Sequence, residues 1–139
     1  MKFPYIRYRC DPSDLYPRDS VLLPHVPIKL IKDELVTAEM NALVDSGADL
    51  SLFNYDVAAF FGMDPESGIP HNIAGLGGIC MTYVHDGFAI EVGGFRFPLR
   101  IAFSKDAPRM FGILGREGFF GRYKVIVDEN KHTVELKEP

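Results

Sequence analysis

Val36, Ala38, Met40, Ala42 and Val44 put apolar side chains at every second position, and the run ends directly on Asp45-Ser46-Gly47-Ala48. A period of two is the spacing of a β-strand with one buried face. Ahead of it Val26, Ile28 and Leu30 alternate in the same way, and Lys32 to Glu34 supply a charged turn, so the segment reads as strand, turn, strand. A carboxylate at the end of such a strand is a costly placement. Left unpaired and buried, it costs on the order of several kcal/mol unless hydrogen bonds or a partner compensate. Gly47 lets the backbone turn sharply, and its N–H can donate to the carboxylate. Taken alone, the string serves a structural aspartate in a turn, stabilised by Ser46, as well as it serves a reactive one.

The rest of the chain has the same texture of short apolar runs and glycine punctuation. The pattern predicts a helix over 55–61 stopped by Gly62, a loop over 64–70, and two strands over 83–92 and 95–103 joined at Gly93-Gly94. A short strand over 110–114, a possible helix over 117–122, and a closing hairpin of 125–127 with 133–136 complete the reading. Residues 1–20, with Pro4, Pro12 and Pro17 among several charges, read as an N-terminal arm or linker outside the core, and 21–139 as the folded domain. Many short strands with glycine-rich turns and one or two short helices place the chain in the all-β class.

Two further segments bear on function. Ile73-Ala74-Gly75-Leu76-Gly77-Gly78-Ile79 lacks the spacing of a nucleotide-binding loop. Glycines at a hairpin tip suit a mobile lid whose backbone approaches a ligand, although an ordinary flexible loop has the same composition. Gly112-Ile113-Leu114-Gly115-Arg116 is, by itself, a buried strand ending in a turn.

In this order, an apolar-apolar-Asp-Ser-Gly-Ala segment, a glycine-rich flap and an apolar-apolar-Gly-Arg segment resemble the retropepsin-like aspartic proteases, over roughly residues 26 to 122. The resemblance implies a retropepsin-like acid-protease fold: a closed β-barrel-like domain with a β-hairpin flap. It implies a catalytic Asp45, a Ser46 that grips the partner subunit's backbone, and a Gly47 that contacts substrate. Ala48 belongs to the same loop, Ala74, Gly75, Leu76, Gly77 and Gly78 to the flap, and Ile113, Leu114 and Gly115 support the loop from beneath. Arg116 resembles the family arginine that pairs with the Asp after the motif, here Asp49. The chain departs from viral members in its long first arm, the loop and helix between 54 and 70, and the hairpin after Arg122.

The chemistry asks for a second copy. Metal-free peptide hydrolysis without a covalent nucleophile needs a base to activate water and an acid to protonate the carbonyl. Two carboxylates roughly 3 Å apart share one proton and supply both. This sequence holds one such motif, so the expected enzyme is a homodimer acting on a peptide or protein, without metal or cofactor. The alternative is a dimerising or peptide-binding module of the same fold with little or no proteolysis. His85-Asp86 could instead orient Ser46 or Cys80 in a hydrolase, but no nucleophile elbow is present. His25, His71, His85 and His132 are dispersed without zinc spacing. The net charge of −4 with scattered basic residues argues against nucleic acid, no segment suits a membrane span, and two distant cysteines point to a cytoplasmic setting.

Overall fold

The computed structural model describes residues 1–139. Strands β1 (Lys2–Pro4) and β2 (Ile6–Arg9) open the chain, β3 (Ser20–Leu23) returns against β2, and β4 (His25–Lys32), β5 (Leu35–Val36) and β6 (Met40–Val44) follow. β7 (Ser51–Asn54) leads into helix α1 (Tyr55–Phe60), and β8 (Ile69–Gly75) with β9 (Gly78–His85) forms a long hairpin. Next come β10 (Ala89–Val92), β11 (Phe95–Pro98), β12 (Ile101–Ser104) and β13 (Gly112–Leu114), and the hairpin of β14 (Lys124–Asp128) and β15 (Thr133–Lys137) ends the chain.

The architecture is mainly β. The principal sheet has the order β11-β10-β4-β6-β13-β7-β12-β9-β8, with β5 attached to β4, and a smaller sheet has the order β1-β15-β14. The principal sheet does not close into a barrel: β11 and β8 are both free edges. Its core face is set by register. Ile90 and Val92 stand opposite Leu30 and Ile28, Val26 stands opposite Ala42, and all six are fully or almost fully buried. Each large aliphatic side chain of this kind contributes about 1.5–3 kcal/mol on burial. No helix is long and apolar enough to cross a membrane.

Four expectations need correction. The alternating run to Val44 is broken: Val36 and Ala38 are exposed, and Thr37 is buried between them. The Thr37 hydroxyl accepts the Leu30 N–H at 3.0 Å, so a side-chain hydrogen bond takes the place of apolar burial and shifts the alternation by one residue. The strands expected over 83–92 and 95–103 are each split. Strand interruptions at Asp86–Phe88 and Leu99–Arg100 turn Phe88 and Leu99 into the core, with the Leu99 N–H donating to the Phe88 carbonyl at 3.0 Å. Residues 1–20 are not wholly outside the core, because Lys2–Pro4 pairs with β15 and Tyr5 is buried. The helix after Gly115 begins at Arg116 and is kinked at Glu117 and Gly118, where the backbone is non-helical.

Candidate active site

β13 carries the site. It lies between β6 and β7, parallel to the first and antiparallel to the second, with Leu114 opposite Val44 and Ile113 opposite both Leu43 and Leu52. That threading needs narrow residues. A Cβ at Gly112 would enter the Phe53 ring, and one at Gly115 would overlap the main chain of Leu50. Gly115 donates its N–H to the hydroxyl of Ser51, a fully buried residue, at 3.1 Å.

The loop after β6 is then fastened by main-chain bonds to the segment after β13. The Asp45 N–H donates to the Leu114 carbonyl at 3.0 Å, the Arg116 N–H to the Ala48 carbonyl at 2.8 Å, and the Glu117 N–H to the Asp49 carbonyl at 2.8 Å. Within the loop, the Ala48 N–H reaches the Asp45 carbonyl at 3.2 Å, and the Gly47 N–H donates to Asp45 Oδ1 at 2.8 Å. Arg116 and Asp49 form an ion pair on the surface. Exposed pairs contribute about 0–1 kcal/mol, so the backbone bonds hold this loop more than the charges do.

Asp45 is half-buried and opens onto a cavity of about 500 Å³ between this loop and the base of the β8–β9 hairpin. Gly47, Ala48 and Asp49 line one wall, His71, Asn72, Ile73 and Ala74 the other, and Leu50, Leu52 and Ile113 complete the apolar part. A second hollow of about 410 Å³ shares Asp49, Leu50 and His71 and continues toward Ile69, Arg100 and Glu117. Asp86 beside it accepts from Arg100 at 2.8 Å, and that hydrogen bond holds its carboxyl below the ordinary carboxylate value. The two hollows together make an extended groove.

The hairpin tip stands clear of the groove. Leu76 and Gly77 form its turn, Gly78 takes a φ of 106°, and Leu76 and Ile79 are exposed. Of the expected flap residues, Ala74 alone faces the cavity, while Gly75, Leu76, Gly77 and Gly78 lie beyond it. Ser46 is exposed. Leu114 is fully buried under the loop, whereas Ile113 lines the cavity itself.

Several lining or supporting residues gave no signal in the sequence. Ser51 and Leu50 look like ordinary strand-edge residues, and only the close approach of Gly115 gives them a role. His71, Asn72 and Ile73 gave no signal either, since β8 shows no alternation of buried and exposed residues. The His85-Asp86 pair is used otherwise: His85 Nε2 bonds the Pro65 carbonyl at 2.7 Å, and Cys80 lies 3.1 Å from the Ser104 hydroxyl.

Compared with known sequences, the chain matches the family described as aspartyl protease over residues 30–117, a span containing the loop, the flap and the segment after β13. The chain belongs to the retropepsin-like aspartic protease family. EIAV protease complexed with the inhibitor HBY-793 is similar in structure, with a TM-score of 0.51 and 23% identity over 68% of this chain and 82% of that one. That likeness is one of fold. No curated protein sequence matches the chain. The base of the glycine-rich β8–β9 hairpin lies across the cavity from the Asp45 loop.

Proposed function

We propose that the protein is an aspartic endopeptidase whose site is completed by a second copy of the chain, with residues 21–139 as the catalytic domain and residues 1–20 fastened to it. The observation that carries this reading is the setting of Asp45: a carboxylate held by the Gly47 N–H at the mouth of a groove. The other acid lining that cavity, Asp49, is tied to Arg116. One free carboxylate supplies a base or an acid, and not both at once. A twin Asp45 across a two-fold axis supplies the other.

In the dimer the two facing carboxyls share one proton. The ionised Asp45 takes a proton from a water as the water attacks the scissile carbonyl, and the protonated partner carboxyl donates to the carbonyl oxygen. The resulting tetrahedral diol collapses when a proton passes to the leaving nitrogen. In this reading Ser46, exposed beside Asp45, bonds the partner's backbone, and the Asp49–Arg116 pair with the main-chain bonds keeps the loop in position.

Substrate binds extended in the groove beneath the flap. The apolar lining from Leu50, Leu52, Ile73 and Ile113 favours apolar side chains on both sides of the cut. Asp45→Asn tests the reading. The variant is expected to keep its fold and its dimer while losing at least about 10³-fold in cleavage of an unfolded protein substrate. Full activity in the variant rejects the assignment.

A further inference from the structure

The hairpin of β2 and β3 forms a sheet of its own and shares no strand ladder with the other two sheets. It meets the principal sheet through an aromatic cluster. The Tyr8 hydroxyl and His25 Nδ1 share a 2.6 Å hydrogen bond, with ring centroids 4.9 Å apart, edge to face. The Phe111 ring stands 4.6 Å from that of His25 and 6.4 Å from that of Tyr8. His25 is fully buried, and its Nε2 has no partner. A buried polar atom left unpaired costs about 1–3 kcal/mol, so packing alone would favour an aliphatic residue at this point of β4.

The place of the cluster follows from register. His25 stands opposite Leu43, Leu43 opposite Ile113, and Ile113 opposite Leu52. Residues paired in this way turn their side chains to the same face, so His25, Leu43, Ile113 and Leu52 form one row across β4, β6, β13 and β7. Ile113 and Leu52 line the cavity together with Asp45, which follows Leu43 by two residues. Leu43 is half-buried, and the row ends at His25, where Tyr8 and Phe111 cover it.

Phe111 is also half-buried and comes two residues before Ile113. Residues 108–111 form neither strand nor helix and Met110 is exposed, so the Phe111 ring takes its orientation from His25 and Tyr8. The apolar face therefore runs from the cavity across Leu43 to an aromatic wall, and the N-terminal arm braces that wall from behind.

We propose that Tyr8 is a positioning residue of the proteolytic site, acting through His25 to hold Phe111 as the wall of an apolar subsite beyond Leu43 that takes a large apolar side chain of the substrate. This rests on the aspartic protease reading and adds to it a residue of the arm and the side chain it selects. The hydroxyl bond fixes the His25 ring in one orientation, and the fixed ring supports Phe111. A residue flanking the cut then meets a rigid surface in place of a mobile loop.

Two peptides that differ only in carrying Phe or Ala beside the cut test it, with kcat and KM measured separately and folding followed by circular dichroism. Tyr8→Ala is expected to raise KM for the Phe peptide and to lower the Phe-over-Ala ratio of kcat/KM about tenfold, the size of effect an apolar pocket gives on losing a contact. Should that variant fail to fold, Tyr8→Leu, which keeps apolar bulk without the ring, serves in its place with the same expected ratio. Tyr8→Phe keeps the ring and holds the ratio within about threefold of wild type. Phe111→Ala leaves the arm untouched and lowers the ratio at least as far. Adding Tyr8→Ala to it changes the ratio by less than about twofold, because the two residues act through one contact. If the Tyr8 variant slows both peptides equally, or if the two effects multiply, the arm is a structural brace alone, and the proposal fails while the protease reading stands. If the wild type cleaves neither peptide nor an unfolded protein, both fail.

Discussion

At Gly112 and Gly115 an added Cβ would run into the Phe53 ring and the main chain of Leu50, whereas at Gly75, Gly77 and Gly78 nothing lies within 4 Å of the same position. The floor of the site and its flap are both rich in glycine, and the residue does opposite work in them. In the floor it lets β13 pass between β6 and β7, so that main-chain bonds fix Asp45 to within a narrow range. In the flap it belongs to a hairpin tip where Leu76 and Ile79 are exposed and nothing packs against the glycines. A hydrolytic site needs both: reacting groups held to a fraction of an ångström, and a cover that opens to admit a chain.

The contrast breaks first at Gly115. Gly115→Ala is expected to destabilise the protein by about 3 kcal/mol and to cut cleavage more than about 100-fold, read by urea unfolding and a peptide assay. A stability change under about 0.5 kcal/mol would mean that Leu50 yields freely and the floor is not close-packed.

Acid acts on the same rigid side. His25 begins β4 opposite Leu43, is fully buried, shares a 2.6 Å hydrogen bond with the Tyr8 hydroxyl, and has no partner for Nε2. Burial pushes its pKa down to about 4. The folded protein keeps this ring neutral while the unfolded chain takes up a proton below about pH 6.5, so its contribution is complete above pH 6.5 and is lost as pH falls toward 4. The expected loss is roughly 2–3 kcal/mol over that window. His25→Gln should flatten this part of the stability curve, and an unchanged slope would place the acid sensitivity elsewhere.

Smaller effects belong to the flap. Gly78 has a φ of 106°, where a residue with a Cβ is strained, and Gly78→Ala should weaken hydrogen-exchange protection of the β8–β9 ladder by about 1 kcal/mol while leaving global unfolding nearly unchanged. Gly75→Ala, in open space, should change global stability by less than about 0.5 kcal/mol yet slow peptide cleavage several-fold, because the flap backbone must approach the substrate. Equal losses of stability at Gly75 and Gly115 would erase the distinction between the two regions.

Much of this was legible in the sequence, for a physical reason. The alternation at Val26, Ile28 and Leu30, and again at Ala42 and Val44, reports a buried face directly, and Gly93-Gly94 reports a turn with both residues at positive φ. Local patterning failed where a tertiary contact replaced it. Thr37 is buried on the strength of a hydrogen bond to Leu30, and Phe88 and Leu99 interrupt strands in order to reach the core. The pairing of β1 with β15 joins the two ends of the chain, and no local pattern announces so distant a partner. In the site, the residues bearing unusual chemistry or glycine were visible. Leu50, Ser51 and Leu52 were not, because their importance comes from what packs on them.

The central claim is that two copies of Asp45 make one site, and mixing chains tests it most directly. A fixed amount of wild type is equilibrated with an equal amount of Asp45→Asn, and peptide cleavage is followed. Random exchange leaves about half of the wild-type chains facing a wild-type partner, so the rate should fall to about half, and with a tenfold excess of the variant to about a tenth. A rate that stays constant at every ratio, with exchange shown by mixed dimers in native mass spectrometry, would mean that each chain hydrolyses without its neighbour's carboxylate.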